Sequence, residues 1–370
     1  MTRFFLLTFL LVFSSVFLHG QTRKEIEIPD IPGYQTLKCD FHMHTVFSDG
    51  YVWPTTRVGE AWRQGLDAIA ITDHIEYRPH SQDIKADHNR SYELAKPAAD
   101  RAGIILIRGT EITRKMPPGH LNAIFIQDAN LIERDDWFEA CRQAKEQGAF
   151  VFWNHPGWKT QQPDKTLWWD EHTRLHDSGI LQGIEVFNSE EYYPEAFQWA
   201  NEKGLTMLAN SDIHSPIDES YDPVLQHRPV TLVFATERNE VSIKEALQNG
   251  RTAVYFDDTL IGDQKFLEPL FFSSLEVFKR NNQSGNKKSR SIQIHNHSEI
   301  DYQLVSTNSG SVFKYTRQIT LKAHRTTLVE VNGIPDELQN ETKLKLEYKV
   351  KNLLIKPDKM LVVTLEVNID

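Results

Sequence analysis

The chain has 370 residues, 40% of them hydrophobic, so it can bury a sizeable core and is longer than one ordinary domain. Its formal charge of −10 excludes a general nucleic-acid binder, which needs a basic surface against phosphates; a small phosphorylated ligand stays open, because bound divalent cations reverse the field of an acidic site. Cys39 and Cys141 are the only cysteines, which excludes a disulfide-stapled scaffold; both lie in apolar surroundings and read as buried thiols, with a single disulfide between them left open.

In chain order, Phe4 to Leu18 is an apolar run between Arg3 and His19-Gly20-Gln21, the layout of a secretory signal peptide over residues 1–20. It is too short for a comfortable membrane span, so cleavage near Gly20 would leave a secreted or periplasmic protein with no stable membrane anchor. Gln21 to Gln35 is polar and punctuated by proline, an extended lead-in. Thr36 to His42 reads as the first strand, and the stretch to Gly50 carries His42, His44 and Asp49. Residues two apart on a strand project from one face, so both imidazoles can reach a single ion. A lone His-x-His also occurs on ordinary strands, and the later motifs decide the matter.

Pro54 opens a helix with Val58, Ala61 and Trp62 on its inner face, and Gly65 stops it. Leu66 to Ile71 is the next strand and delivers Asp73-His74. Tyr92 to Ala102 is helical, Ile104 to Ile107 is a short apolar strand, and Glu111 emerges beyond it, followed by Gly119-His120. After Leu121 to Ile126, a helix over Trp137 to Gln147 precedes the strand Ala149 to Trp153, which leads to His155. Gly183 to Phe187 is a strand, Pro194 to Lys203 a helix, and Leu205 to Ala209 leads to Asp212 and His214. Val230 to Phe234 and a helix from Val241 to Gln248 complete the unit. Strands that alternate with helices and are apolar throughout point to a parallel sheet covered on both faces. Nearly every His or carboxylate of interest follows a strand, the end at which barrel enzymes assemble their sites.

The polar run Asn281 to Ser289 marks a turn or linker, and the segments beyond it, such as Lys343 to Val350, alternate as in a small antiparallel β-sandwich. His295 and His297 repeat the His-x-His spacing there without a carboxylate cluster and read as surface strand residues. The expected organisation is a leader over 1–20, a barrel over 36–280 and a sandwich-like domain over 290–370.

The ordered set Asp40-Phe41-His42-Met43-His44, Thr72-Asp73-His74, Gly109-Thr110-Glu111, Gly119-His120, Asn154-His155-Pro156 and Ser211-Asp212-Ile213-His214 resembles the PHP ("polymerase and histidinol phosphatase") family of metal-dependent phosphoesterases. The resemblance implies an α/β fold, a distorted (β/α)7 PHP barrel followed here by the all-β sandwich-like C-terminal domain. Glu111-Ile112-Thr113, Pro117-Pro118-Gly119-His120, the leader and the C-terminal extension look like the secreted phosphodiesterase branch of that family. It further implies two or three divalent transition metals. His42, His44, Glu111 and Asp212 would hold one; Glu111, His120 and His155 a second; Asp49, His74 and His214 a third. Imidazole and carboxylate without thiolate suit Zn, Mn or Fe.

Such ions lie about 3.5 to 4 Å apart and would supply a bridging hydroxide that attacks a phosphodiester in line. Asp73 or His214 would protonate the leaving oxygen. Arg78 and Arg114, and less so Lys115, would clamp phosphate oxygens. Trp153, Trp158, Trp168 and Trp169 either wall the pocket or pack one barrel end. The expected partner is a small-molecule phosphate ester and no nucleic-acid polymer. Alternatives are a phosphomonoesterase on nucleotides or sugar phosphates, a binding protein on an inert PHP scaffold, and a metal-dependent deaminase or amidohydrolase on a similar barrel.

Overall fold

Short apolar runs bounded by glycine, proline and polar residues become strands buried on both faces: Ala68–Ile71, Leu121–Ile124, Phe150–Trp153 and Thr206–Asn210 have no exposed residue. A computed structural model describes residues 22–222, 226–279, 289–307, 313–336 and 343–368, so the expected leader and nearly all of the polar run 281–289 lie outside the described residues.

Gln35–Asp40, Ala68–Ile71 and Ile105–Ile112 pair in parallel, in that order. Phe150–Trp153, Leu181–Asn188 and Thr206–Asn210 form a second parallel set. Leu121–Ile124 lies between the two sets and is antiparallel to both neighbours. The wholly parallel sheet expected from the alternation is therefore corrected to a mixed one. No helix separates Ile112 from Leu121, and a parallel return needs a crossover of a dozen residues or more. Val230–Ala235 also runs antiparallel, between Gln35–Asp40 and Thr252–Phe256. The ring closes just beyond the strands, where Met43 bridges Ile213 and His44 N donates to Ile213 O at 3.0 Å.

Alternate strand residues fill the two sides of the sheet. Leu37, Cys39, Phe41, Ala68, Ala70, Phe150 and Phe152 form an inner cluster, against which Ile243, Ala246 and Leu247 of the helix Glu240–Gln248 pack. The other faces carry the outer helices, among them Pro54–Arg63, Arg90–Ala102, Trp137–Glu146 and Pro194–Lys203. Asp170–Asp177 is a further helix that the sequence reading passed over. Cys39 and Cys141 are buried in different clusters and form no disulfide.

In the C-terminal part, Leu275–Lys279, Ser289–Asn296, Thr326–Asn332 and Lys314–Tyr315 make one sheet. It begins ahead of the boundary expected near 280–290. Tyr302–Ser306, Gln318–Leu321, Lys343–Lys356 and Lys359–Asn368 make the facing one. Strict alternation of buried and exposed residues from Lys343 to Val350 shows why: one face lies on the core and the other faces water. The same strand runs on to pair Leu353 and Leu354 in parallel with Leu260 and Ile261, so the barrel sheet continues into the sandwich.

Candidate metal centre

Five loops and one strand end on the same side of the ring bring the imidazoles and carboxylates together. His42 and His44 follow Gln35–Asp40, His74 follows Ala68–Ile71, Glu111 lies inside Ile105–Ile112, His155 follows Phe150–Trp153, and Asp212 and His214 follow Thr206–Asn210. His120 precedes its strand instead; because that strand is antiparallel, its start lies at the end where its neighbours finish.

His42 Nε2 and His44 Nε2 are 3.2 Å apart. Both lie 3.2 Å from Glu111 Oε2 and 3.1 and 3.0 Å from Asp212 Oδ1. Asp49 Oδ1 lies 3.2 Å from His214 Nε2, 3.4 Å from His74 Nε2 and 3.8 Å from His44 Nδ1. Glu111 Oε1 lies 2.6 Å from His120 Nδ1. Donor atoms fall into three compact groups: His42, His44, Asp212; His44, Asp49, His74, His214; and His74, Glu111, His120. Three details differ from the implied sets. Glu111 groups with His74 and His120 rather than with His42, His44 and Asp212, although it stays 3.2 Å from both of those imidazoles. His44 joins the Asp49 group as well as its own, and His74 takes the place beside Glu111 and His120 that was expected of His155. His155 Nε2 stands 3.9 Å from Asp212 Oδ2, with its ring centroid 4.9 Å from that of His120.

This arrangement fits divalent cations. Lone-pair atoms converge in a buried volume, and Asp49 Oδ1 and Glu111 Oε1 are buried without a properly directed hydrogen bond. No thiolate takes part, which suits Zn, Mn or Fe. His155 and Asp212 have φ of +30° and +51°, a left-handed conformation that costs energy for side chains of this kind and recurs at functional sites. Gly50 is required by contact: a Cβ there would lie 2.7 Å from the backbone of His44 and Thr45.

Burial disfavours the charged forms, yet His74, His120 and His42 hold Glu111 well below the usual carboxylate range, and His42 does the same for Asp212. Against the same burial, Asp212, Glu185 and Glu111 raise His42, Glu111 and Asp49 raise His74 to about 10, and Asp49 raises His214. Burial wins at His44 and His155, the latter pushed down to about 3. At pH 7 the metal-free protein therefore carries protons on His42 and His74, and His214 holds its proton more firmly than a free imidazole, so a cation must displace protons to bind. Zinc loading is expected to release protons and to weaken in acid. Titration calorimetry in two buffers of different ionisation enthalpy measures this, and heats independent of the buffer would remove these imidazoles from the ligand set.

Other expected roles are corrected. Asp73 does not face the cluster: its oxygens accept from Thr45 N at 2.7 Å, Thr45 Oγ1 and Ser48 Oγ, so it fixes the loop that carries Asp49. Arg78 donates to the carbonyls of Phe47 and Ala86. Arg114 pairs with Glu76 at 2.7 Å and donates to the carbonyls of Arg134 and Asp135. Neither guanidinium lines the cavity above the cluster, whereas Lys115 does. Trp158 stands in that cavity beside His120 and His155, while Trp153 is core, stacked on His172 at 3.6 Å and on Trp199. His214 lines the cavity with a third of its side chain exposed.

Arg57 and Glu185 escaped the sequence reading. Arg57 is fully buried and donates to the carbonyls of His44, Ile213, His214 and Ser215, tying the first ligand loop to the last. Helical periodicity could not find it, because a charged residue on a short helix ordinarily faces water. Glu185 had a signal: a lone acid within the apolar run Gly183 to Phe187.

A two-domain protein from Bacteroides vulgatus, described as containing a predicted PHP-like metal-dependent phosphoesterase, matches with a TM-score of 0.89 and 48% identity, covering 94% of this chain and 100% of its own. An uncharacterised protein of Methanocaldococcus jannaschii is 40% identical over 193 residues, 49% of this chain and 84% of its own length. A 5'-3' exoribonuclease of Haemophilus influenzae shares 36% identity over 78 residues, 21% of this chain and 24% of that enzyme. An Ig-like domain model matches residues 275–366, the span of the sandwich, and the PHP domain model matches residues 40–223, the span that supplies every imidazole and carboxylate of the cluster. With its metal-binding geometry, its barrel and a near full-length relative in agreement, the chain belongs to the PHP family of metal-dependent phosphoesterases.

Proposed function

We propose that the enzyme hydrolyses a small phosphodiester. The observation that carries this reading is the charge around the cavity, which has a volume of about 1030 Å³ and the donor cluster at its floor. Among the described residues Lys115 is the one lysine or arginine that lines it, and Glu190 and Glu191 line it as well. A monoester dianion demands more compensating positive charge than a diester monoanion. Tyr77, Met116 and Trp158 offer apolar surface to an ester group.

Bound divalent ions would supply a water of lowered pKa and neutralise charge on the phosphoryl oxygens. The chain's own residues do the rest. Glu111 and Asp212 stand against the imidazoles of five loops, Trp158 packs beside His120 and His155, and Lys115, which lines the cavity, meets phosphoryl charge. His214 is placed to hand a proton to the leaving oxygen, since its ring lines the cavity with a third of its side chain exposed, where that of His74 is nearly buried, and Asp49 raises its affinity for a proton. The same Nε2 belongs to the Asp49 group, so that role requires the group to be without its cation.

The deciding assay compares bis(4-nitrophenyl) phosphate with 4-nitrophenyl phosphate in Mn and in Zn. The diester is expected to have the larger kcat/KM. A monoester preference of tenfold or more, about 1.4 kcal/mol in transition-state binding, would make the enzyme a phosphatase of nucleotides or sugar phosphates. Absence of both activities in protein loaded with metal would favour a binding protein on this scaffold.

The leader-like run Phe4 to Leu18 supports export, with the mature chain beginning close to Gln21 and placement in the secreted phosphodiesterase branch. Among the described residues no helix is long and apolar enough to cross a membrane. Mass spectrometry of the native protein is expected to find the shortened N-terminus, and an intact Met1 in a membrane fraction would overturn export.

A further inference from the structure

We infer that Glu185, which lies outside all three donor groups, is a positioning residue that sets the tautomer of His42 and the backbone of His155, and through them the affinity of the centre for its metals. The inference rests on the metal-centre reading above.

Glu185 lies on Leu181–Asn188, a strand paired on both sides, and a register shift follows it where Phe187 rather than Val186 meets Ala209. Its side chain is fully buried. A buried carboxylate is costly unless each oxygen is satisfied. Here each oxygen takes two donors. Oε1 accepts from His42 Nδ1 at 2.9 Å and from Asn210 Nδ2 at 2.9 Å. Oε2 accepts from the His155 backbone N–H at 2.7 Å and from Asn188 Nδ2 at 2.8 Å. A carboxylate that only accepts obliges His42 to carry its proton on Nδ1. The Nε2 lone pair then points toward His44 Nε2, 3.2 Å away, and toward Glu111 and Asp212.

The bond to His155 N does separate work. His155 holds a φ of +30°, a conformation that persists where surrounding contacts over-determine it. Glu185 thus acts on ligand loops that follow two different strands, 143 and 30 residues from itself. Asn188 and Asn210 hold the carboxylate in place, and Asn210 Oδ1 also accepts from Phe41 N at the start of the His42 loop. A glutamine cannot replace it, because an amide offers one accepting oxygen, so two of the four donors would face an NH2 group in either flip.

The test measures zinc and manganese dissociation constants by chelator competition for wild type, Glu185→Gln and Thr206→Val. Thr206 Oγ1 donates to Leu247 O at the far end of its strand, so that variant lowers stability without touching the centre. Glu185→Gln is expected to weaken binding about 10- to 100-fold with an unchanged far-ultraviolet spectrum, and Thr206→Val to leave it within twofold. Binding by Glu185→Gln within twofold of wild type, or an equal loss in Thr206→Val, would overturn the inference. A wild type that binds neither ion would instead overturn the metal-centre reading. Nitrogen-15 spectra of the zinc-loaded wild type need no variant: a proton on His42 Nδ1 is expected, and a proton on Nε2 would overturn the inference even if Glu185→Gln does not fold.

Discussion

Glu111→Gln is expected to lower kcat by about a thousandfold or more and to reduce bound metal, the largest effect of any single substitution on activity. Glu111 is 1% exposed and is approached by four imidazoles: His42, His44 and His74 at 3.2 Å on Oε2, and His120 at 2.6 Å on Oε1. Asp212 is approached as closely by two imidazoles, those of His42 and His44, while His155 and His214 stand 3.9 Å away. Glutamine keeps the shape and removes the charge, so the variant isolates the electrostatic contribution. Loss of several kcal/mol of charge stabilisation corresponds to the stated factor, since each 1.36 kcal/mol is about tenfold in rate. Activity within tenfold of wild type, with full metal content by elemental analysis, would move Glu111 out of the centre.

The largest effect on stability is expected at Arg57, a buried residue that does not line the cavity. Arg57→Leu should destabilise the barrel by roughly 3–5 kcal/mol, the usual cost of removing one partner of a buried ion pair. Glu60 Oε2, 2.7 Å from Arg57 Nη1, would remain buried without its cation, and four carbonyls of the ligand loops would each lose a donor, though Ile213 O keeps His44 N and His214 O keeps Tyr51 N. Adding Glu60→Leu should recover part of the loss, because the uncompensated carboxylate goes with it; Ile217 N, which donates to Glu60 Oε1, limits the recovery. Urea unfolding of the single and double variants measures both effects. A single variant within 1 kcal/mol of wild type would show the guanidinium to be dispensable.

His42, His44, Asp49, His74, Glu111, His120, Asp212 and His214 were legible in the chain because donor chemistry is written in residue types and because each stands beside a short apolar run. Strand ends can be read from such runs, and parallel strands deliver their ends to one side of a ring. The sandwich was legible for a similar reason, its period-two alternation being a local property. Neither needs knowledge of contacts distant in the chain.

What only the tertiary structure decided is which charged groups are spoken for. Arg78 and Arg114 sit beside ligand motifs in sequence, but backbone carbonyls and Glu76 occupy them, while Lys115 in the same loop reaches the cavity. Asp73 adjoins His74 yet turns to Thr45 and Ser48. Arg57 and Glu185 took their importance from partners up to 158 and 143 residues away. The antiparallel strand Leu121–Ile124 follows from the shortness of its connection rather than from its composition. Residue type and period determine what a segment can bury or ligate. Direction, pairing and the choice among competing partners depend on long-range packing, and a hydrogen bond between distant residues leaves no period in the chain.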